Sequence, residues 1–191
     1  MQKLCALLCA AGLSVAAGAQ TFDLTDPDGL TVSGSFSGSM PSEGAVVFTL
    51  LIDEVSNALG SWLNIQTFNA DDVNLMDTEI ALFDAAGNFI AADDDGNIND
   101  PPGDILYSLL TFGVNDPFPM DATPGEDGEL AAGLYILVVA GYDTVWGDTL
   151  METTFGASSG DFDLLVTYGV PAPGAAAVLG ASGLLALRRR R

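Results

Sequence analysis

All 26 aspartates and glutamates of the chain lie between Asp23 and Asp163, and that stretch contains no Lys, Arg or His. A segment so built has no internal salt bridge open to it. Its carboxylates have three fates: hydration, hydrogen bonds from backbone N–H groups, or neutralisation by bound cations. Self-repulsion at this charge destabilises a compact state in dilute salt. The repulsion relaxes as the Debye length falls to about 10 Å near 0.1 M. The same field disfavours nucleic acid and anionic membrane surfaces as partners. It also leaves trypsin without a cleavage site in that stretch.

The missing residue types narrow the chemistry. The only cysteines are Cys5 and Cys9, and there is no histidine. The Ser-His and Cys-His nucleophilic routes and the usual zinc ligand sets are therefore absent from the body. Without Lys or Arg there is no positive clamp for phosphoryl or carboxylate substrates. What remains for catalysis is a carboxylate pair of the glycosidase kind. Among 26 acidic residues some pair always falls at a suitable distance, so proximity alone carries little weight. The expectation is a protein without catalytic residues, with a secreted acidic hydrolase as the alternative.

The five basic residues are Lys3 and Arg188, Arg189, Arg190 and Arg191, each beside a long apolar run. Lys and Arg in that position hold their side of a membrane in the cytoplasm. Residues 1–19 read as a secretory signal peptide: Lys3, then the apolar Leu4–Ala16, then Ala17-Gly18-Ala19 as a small-x-small site for signal peptidase. Gln20 is the expected first mature residue. Both cysteines fall inside the signal, so the mature chain has no thiol, disulfide or Cys-ligated metal.

Residues 170–191 have three parts: Val170-Pro171-Ala172-Pro173-Gly174, the small apolar Ala175–Leu187, and the four arginines. The apolar stretch has thirteen residues, or eighteen counted from Val170; a bilayer-spanning helix usually needs about 20. That suits a thin or transient span, with the C-terminus inside and the body outside.

This order resembles the PEP-CTERM sorting signal of bacteria that make extracellular polysaccharide. In that family an exosortase-type membrane protease recognises Pro-Glu-Pro and removes the helix. Ala172 stands where the family motif has Glu. The resemblance implies processing by an exosortase-like protease, with delivery to the cell envelope, outer surface or extracellular matrix. A permanent single-span anchor is the alternative. Leu-Pro-x-Thr-Gly, which a sortase signal needs, is absent.

Residues 20–169 make one acidic domain by length. Apolar and β-branched runs occur at Leu30–Phe36, Ala45–Ile52, Trp62–Phe68, Glu79–Phe83, Asn88–Ala92, Ile105–Phe112, Leu134–Ala140 and Phe162–Tyr168. Between them stand turn clusters such as Asp26-Pro27-Asp28-Gly29 and Asp100-Pro101-Pro102-Gly103. The pattern predicts an all-β body, an antiparallel β-sandwich or jelly roll, flanked by the N-terminal signal helix and the C-terminal apolar helix. One helical turn is open to Ile52–Leu59. A phrase of Gly-Asp, an apolar stretch, Thr, an aromatic and Gly recurs at Gly103–Gly113, Gly147–Gly156 and Gly160–Gly169. Its unequal spacing argues for similar strand-and-turn chemistry rather than a solenoid.

The densest chemistry runs from Asp77 to Asp104. Asp77-Thr78-Glu79-Ile80-Ala81-Leu82-Phe83-Asp84 reads as a strand, and Ala85-Ala86-Gly87-Asn88 as a turn with Gly87 or Asn88 at positive φ. Phe89–Ala92 returns and empties into Asp93-Asp94-Asp95-Gly96-Asn97-Ile98-Asn99-Asp100. With Ala132-Gly133-Leu134-Tyr135 downstream, this stretch resembles the bacterial pre-peptidase C-terminal-like domain, a secreted β-sandwich module. Asp93 stands where that family more often has Asn.

The acidic loop is a candidate calcium site, because Ca²⁺ takes six to eight oxygen ligands from flexible acidic loops. Asp93, Asp95, Asn97 and Asp100 are the candidate ligands, with Asp77, Asp84 and Asp104 as additions. The EF-hand template fails, since placing Gly96 at its glycine puts Ala91 at the first ligand position. A solvated Asx-rich turn is the competing reading. Tyr142 and Trp146 flank Asp143-Thr144 in an expected loop and are candidates for stacking on sugar rings, whereas Trp62 and Tyr107 suit the core. Together these readings point to an exported protein with a structural, adhesive or cation-dependent glycan-binding role, its partner extracellular polysaccharide.

Overall fold

A strand shows alternate side chains to its two faces, so one apolar at every second position separates core from solvent, and one apolar throughout is covered on both sides. Both kinds occur in a computed structural model of the chain, which describes residues 20–25, 31–68, 76–96, 106–113 and 127–170. The strands are β1 (Thr21–Asp23), β2 (Val32–Met40), β3 (Ala45–Ile52), β4 (Trp62–Phe68), β5 (Thr78–Asp84), β6 (Phe89–Asp93), β7 (Leu109–Gly113), β8 (Gly133–Gly141) and β9 (Gly160–Gly169). They form a five-stranded sheet ordered β1-β3-β8-β5-β6 and a four-stranded sheet ordered β2-β9-β4-β7.

One apolar cluster draws on both sheets. Phe48, Leu50, Ile80, Leu82, Leu137 and Val139 meet Leu63, Ile65, Leu110, Phe112, Leu164 and Val166 across it. In β9 the alternation is plain: Phe162, Leu164, Val166 and Tyr168 are buried, while Asp161 is exposed and Asp163 and Leu165 are half-buried. Over most of β3, β5 and β8 both faces are covered. The outward residues Ala45, Val47, Ala81, Phe83, Ile136 and Val138 lie under Leu150, Trp146 and Phe155, which form a second, smaller core. The described residues are all-β apart from one 3₁₀ turn, two sheets around a shared core, as the periodicity predicts for the body.

Three details differ from the sequence expectation. The larger sheet is mixed rather than wholly antiparallel, because β1 pairs parallel to β3, Phe22 opposite Leu50. Three residues are too few to show a period, and what holds them is the buried Phe22 ring, 5.6 Å from that of Phe48. Ile52–Leu59 forms no helix, although a single hydrogen-bonded turn closes at its end, Gly60 N to Asn57 O at 3.3 Å. Val55 instead bridges Leu130, with N–H to O distances of 2.9 Å in both directions, and Val55 is fully buried. The middle copy of the recurring phrase, Gly147–Gly156, is a covering loop with a 3₁₀ turn at Leu150–Glu152, whereas Gly160–Gly169 is strand. The two expected terminal helices lie outside the described residues.

Candidate functional site

With no cationic side chain between Asp23 and Asp163, backbone amides serve as the donors for several of the carboxylates. Asp84 closes the β5–β6 turn: its Oδ1 accepts from Ala86 N at 2.8 Å and Asn88 N at 2.9 Å, and its Oδ2 from Asn88 Nδ2 at 2.7 Å. Gly87 supplies the positive φ, 86°. Asn88's side chain and then its backbone hold the Asp84 carboxyl below its ordinary value. Asp127 accepts from Thr111 N at 2.7 Å, Glu129 from Asn57 N at 2.7 Å, and Asp23 from Thr25 N at 3.2 Å. Glu79, buried on the outer face of β5, accepts from Thr144 N at 3.0 Å and Trp146 Nε1 at 3.1 Å. It thereby ties down the loop over the second core, and burial raises its carboxyl above the usual range.

At the opposite end of β5 from Asp84 the arrangement changes. Carboxylate oxygens of Asp77, Asp94 and Asp95 lie within 4.8 Å of one another. Asp77 directly precedes β5, and Tyr142 N donates to its carbonyl at 3.1 Å. Asp94 directly follows β6, and its carbonyl accepts from Ser108 Oγ at 2.7 Å. The same hydroxyl is within hydrogen-bond reach of the Thr78 carbonyl, its one proton shared between the two oxygens, so one serine sits where the starting ends of β5 and β7 meet the end of β6. Oδ1 of Asp77 and Oδ1 of Asp94 are buried and accept no hydrogen bond from the described residues. Burial, then Asp94, then Asp95, push the Asp77 carboxyl up to about 6. Burial, then Asp95 and Asp93, raise Asp94 as well.

The spacing suits a divalent cation of calcium's size. Ligand oxygens about 2.4 Å from an ion lie up to about 4.8 Å apart across it. Hard oxygen donors with no nitrogen or sulfur also select calcium or magnesium over softer metals.

The candidate ligands fall differently from their expected positions. Asp95 is in the cluster, and so is Asp77, which the sequence offered as an addition. Asp93 faces the protein instead: its Oδ2 accepts from Gly96 N at 2.8 Å and Leu109 N at 2.7 Å, joining the end of β6 to β7. Asp84 is in the turn at the far end of its strand. Asn97, Asp100 and Asp104 lie outside the described residues. Asp94 is the residue that strand alternation misses. Period two sets Asp93 and Asp95 on one face, but β6 ends at Asp93 and the chain bends at Asp94 and Asp95.

Of the aromatic candidates, Tyr142 is 53% exposed. Trp146 is half-buried, its ring 6.2 Å from Phe83 and 6.4 Å from Phe155 between centroids. Trp62 and Tyr107 are buried. Gln20 is exposed, and its carbonyl accepts from Thr49 N at 3.0 Å. Val170 packs against the main core. Ala17, Ala19, the remainder of the 170–174 motif and the four arginines lie outside the described residues.

No family model matches this chain, and no curated protein matches it. Among solved structures it is similar to Aeromonas hydrophila PliG, a periplasmic lysozyme inhibitor of g-type lysozyme, with 13% identity over 78% of this chain and 96% of that one and a TM-score of 0.40. It is similar also to Salmonella Typhimurium PliG, an inhibitor of the same kind, with 10% identity over 79% of this chain and 99% of that one and a TM-score of 0.38.

Proposed function

We propose that this chain is a non-catalytic exported protein of the cell envelope or extracellular polysaccharide matrix, whose acidic sandwich is completed by calcium at Asp77, Asp94 and Asp95. The observation that carries the reading is the cluster itself: three carboxylates with oxygens within 4.8 Å, two of those side chains holding a buried oxygen without a donor. Asp23, Asp84, Asp93 and Asp127, at other strand ends and turns, are met by backbone N–H groups, and no ammonium or guanidinium lies in the sequence from Asp23 to Asp163 to meet these three. A bound cation removes the repulsion and locks β5, β6 and β7 together at one end of the sandwich.

Export rests on the signal-like residues 1–19. Sorting by an exosortase-like protease, with the tail as a transient membrane span, rests on residues 170–191. A structural, adhesive or glycan-binding role follows from that destination, with the exposed Tyr142 as the candidate stacking ring. A hydrolase reading fits the cluster less well, because glycosidase carboxyl pairs stand about 5–9.5 Å apart to leave room for a sugar or a water.

Calorimetric titration of calcium into the full chain tests the site. The expected result is a saturable heat at millimolar calcium or below, lost in Asp94→Asn and little changed in Asp148→Asn on the covering loop. No heat at millimolar calcium overturns the site. A glycan array with and without calcium tests the role, and hydrolysis of an arrayed glycan overturns the non-catalytic reading.

A further inference from the structure

A sheet edge presents a row of unpaired N–H and C=O groups, and proteins blunt such edges with short strands, charge, proline, bulges or a covering segment. Three of the four edges here are blunted. β1 has three residues. β6 has five, and its turn is covered by the 148–150 segment through Phe89 N to Asp148 O at 3.0 Å and Leu150 N to Gly87 O at 2.9 Å. β7 is covered by Asp127 and Gly128, through Asp127 N to Thr111 O at 3.0 Å and Gly113 N to Gly128 O at 2.7 Å.

Among the described residues, β2 has none of these devices. It runs nine residues and pairs with β9 in continuous register from Val32–Tyr168 to Met40–Gly160, without a bulge. Among the described residues, no strand pairs with its other side. The strand holds no proline and no charge. Indeed, Gly29–Ser42 is free of ionisable side chains in a chain with 26 acidic residues. Two polyanions therefore meet with least repulsion at this edge.

The sequence of the edge also names its partner. Ser33-Gly34-Ser35-Phe36-Ser37-Gly38-Ser39 reads the same in both directions. An antiparallel pairing about a two-fold axis at Phe36 sets Ser33 against Ser39, Gly34 against Gly38, Ser35 against Ser37, and Phe36 against its own copy. That register keeps the faces in phase, serines toward solvent and glycines and Phe36 toward the core. Phe36 is half-buried, 4.9 Å from the Phe48 ring and 5.7 Å from that of Phe162, so its copy would extend the same aromatic layer.

We propose that β2 pairs antiparallel with β2 of a second copy of this chain, an isologous two-fold contact that joins two four-stranded sheets into one of eight. The nearest outward carboxylates, Asp161 and Asp163, sit one strand back on β9, and Ser37 Oγ donates to Asp163. A contact confined to one strand is small, so the association is concentration-dependent rather than permanent. It is independent of the cation cluster, which lies at the ends of β5 and β6 in the other sheet.

Sedimentation velocity on the full chain over a wide concentration range, at about 0.1 M salt to screen the net charge, reads the association. The expected result is a monomer–dimer equilibrium. Ser35→Glu with Ser37→Glu weakens it by about tenfold, since like charges then oppose across the junction. An equimolar mixture of that variant with a Ser35→Lys, Ser37→Lys chain forms a heterodimer tighter than either homodimer, a recovery that a damaged fold does not give. A chain that stays monomeric at the highest concentration overturns the proposal. So does a dimer indifferent to the Glu pair, or a mixture of folded variants that fails to recover association.

Discussion

Asp77 shows what an uncompensated carboxylate does to this molecule. Its folded-state value of about 6 lies above the ordinary 3.8, so the fold favours the protonated form. The sign of the pH dependence follows. The stabilisation is complete below about pH 4 and is lost as pH rises through about 6. Melting measured in a chelator should therefore decline across that interval, and Asp77→Asn should flatten the decline. A decline of equal size in Asp77→Asn contradicts the assignment. Glu79 makes the converse case, a buried carboxylate with two donors. Glu79→Ala strands Thr144 N and Trp146 Nε1 and should cost about 1–3 kcal/mol. Trp146 fluorescence should shift to the red as the covering loop loosens, and Glu79→Gln, which keeps one acceptor, should lose less. An unshifted spectrum in Glu79→Ala contradicts the tethering role.

At the scale of elements, Gly113 is the sharpest constraint. It ends β7 at φ 83°, and a Cβ there would stand 2.1 Å from the Ser61 carbonyl oxygen. Neither backbone can give way, so Gly113→Ala should destabilise by about 3 kcal/mol or more, read as a lowered denaturant midpoint. A midpoint within error of the parent chain contradicts the close approach. The strands themselves were legible. Ala45–Ile52 and Trp62–Phe68 have the bounds their apolar runs indicate, and the Asp84–Asn88 turn has glycine at positive φ where turn chemistry asks for it. What escaped were features without a period: β1, three residues held by a ring; the Val55–Leu130 bridge; and the bend after Asp93 that turns Asp94 into the cluster. Alternation ends where a strand ends, so ligands just beyond β6 could not be ranked from spacing. Which carboxylates staple the backbone and which face one another is decided by N–H groups from distant segments, Leu109 and Thr144 among them.

For the whole molecule, the account is one of charge. In a body with 26 acidic residues and no basic ones, several carboxylates are held by backbone amides, whereas Asp77 and Asp94 at one end of β5 and β6 keep a buried oxygen with no donor among the described residues. Stability should therefore rise with ionic strength as self-repulsion is screened. A chain equally stable in dilute and concentrated monovalent salt contradicts that reading. If calcium occupies the proposed site it should act beyond screening, because the three carboxylates converge in the folded chain and are dispersed in the unfolded one. The most direct measurement is the melting temperature of the full chain and of Asp94→Asn, each in chelator and in millimolar calcium, with monovalent salt matched to the same ionic strength. The account predicts a rise of about 5 °C or more with calcium in the parent chain and little change in Asp94→Asn. Equal melting temperatures of the parent chain in chelator and calcium, or the same rise in Asp94→Asn, would contradict it.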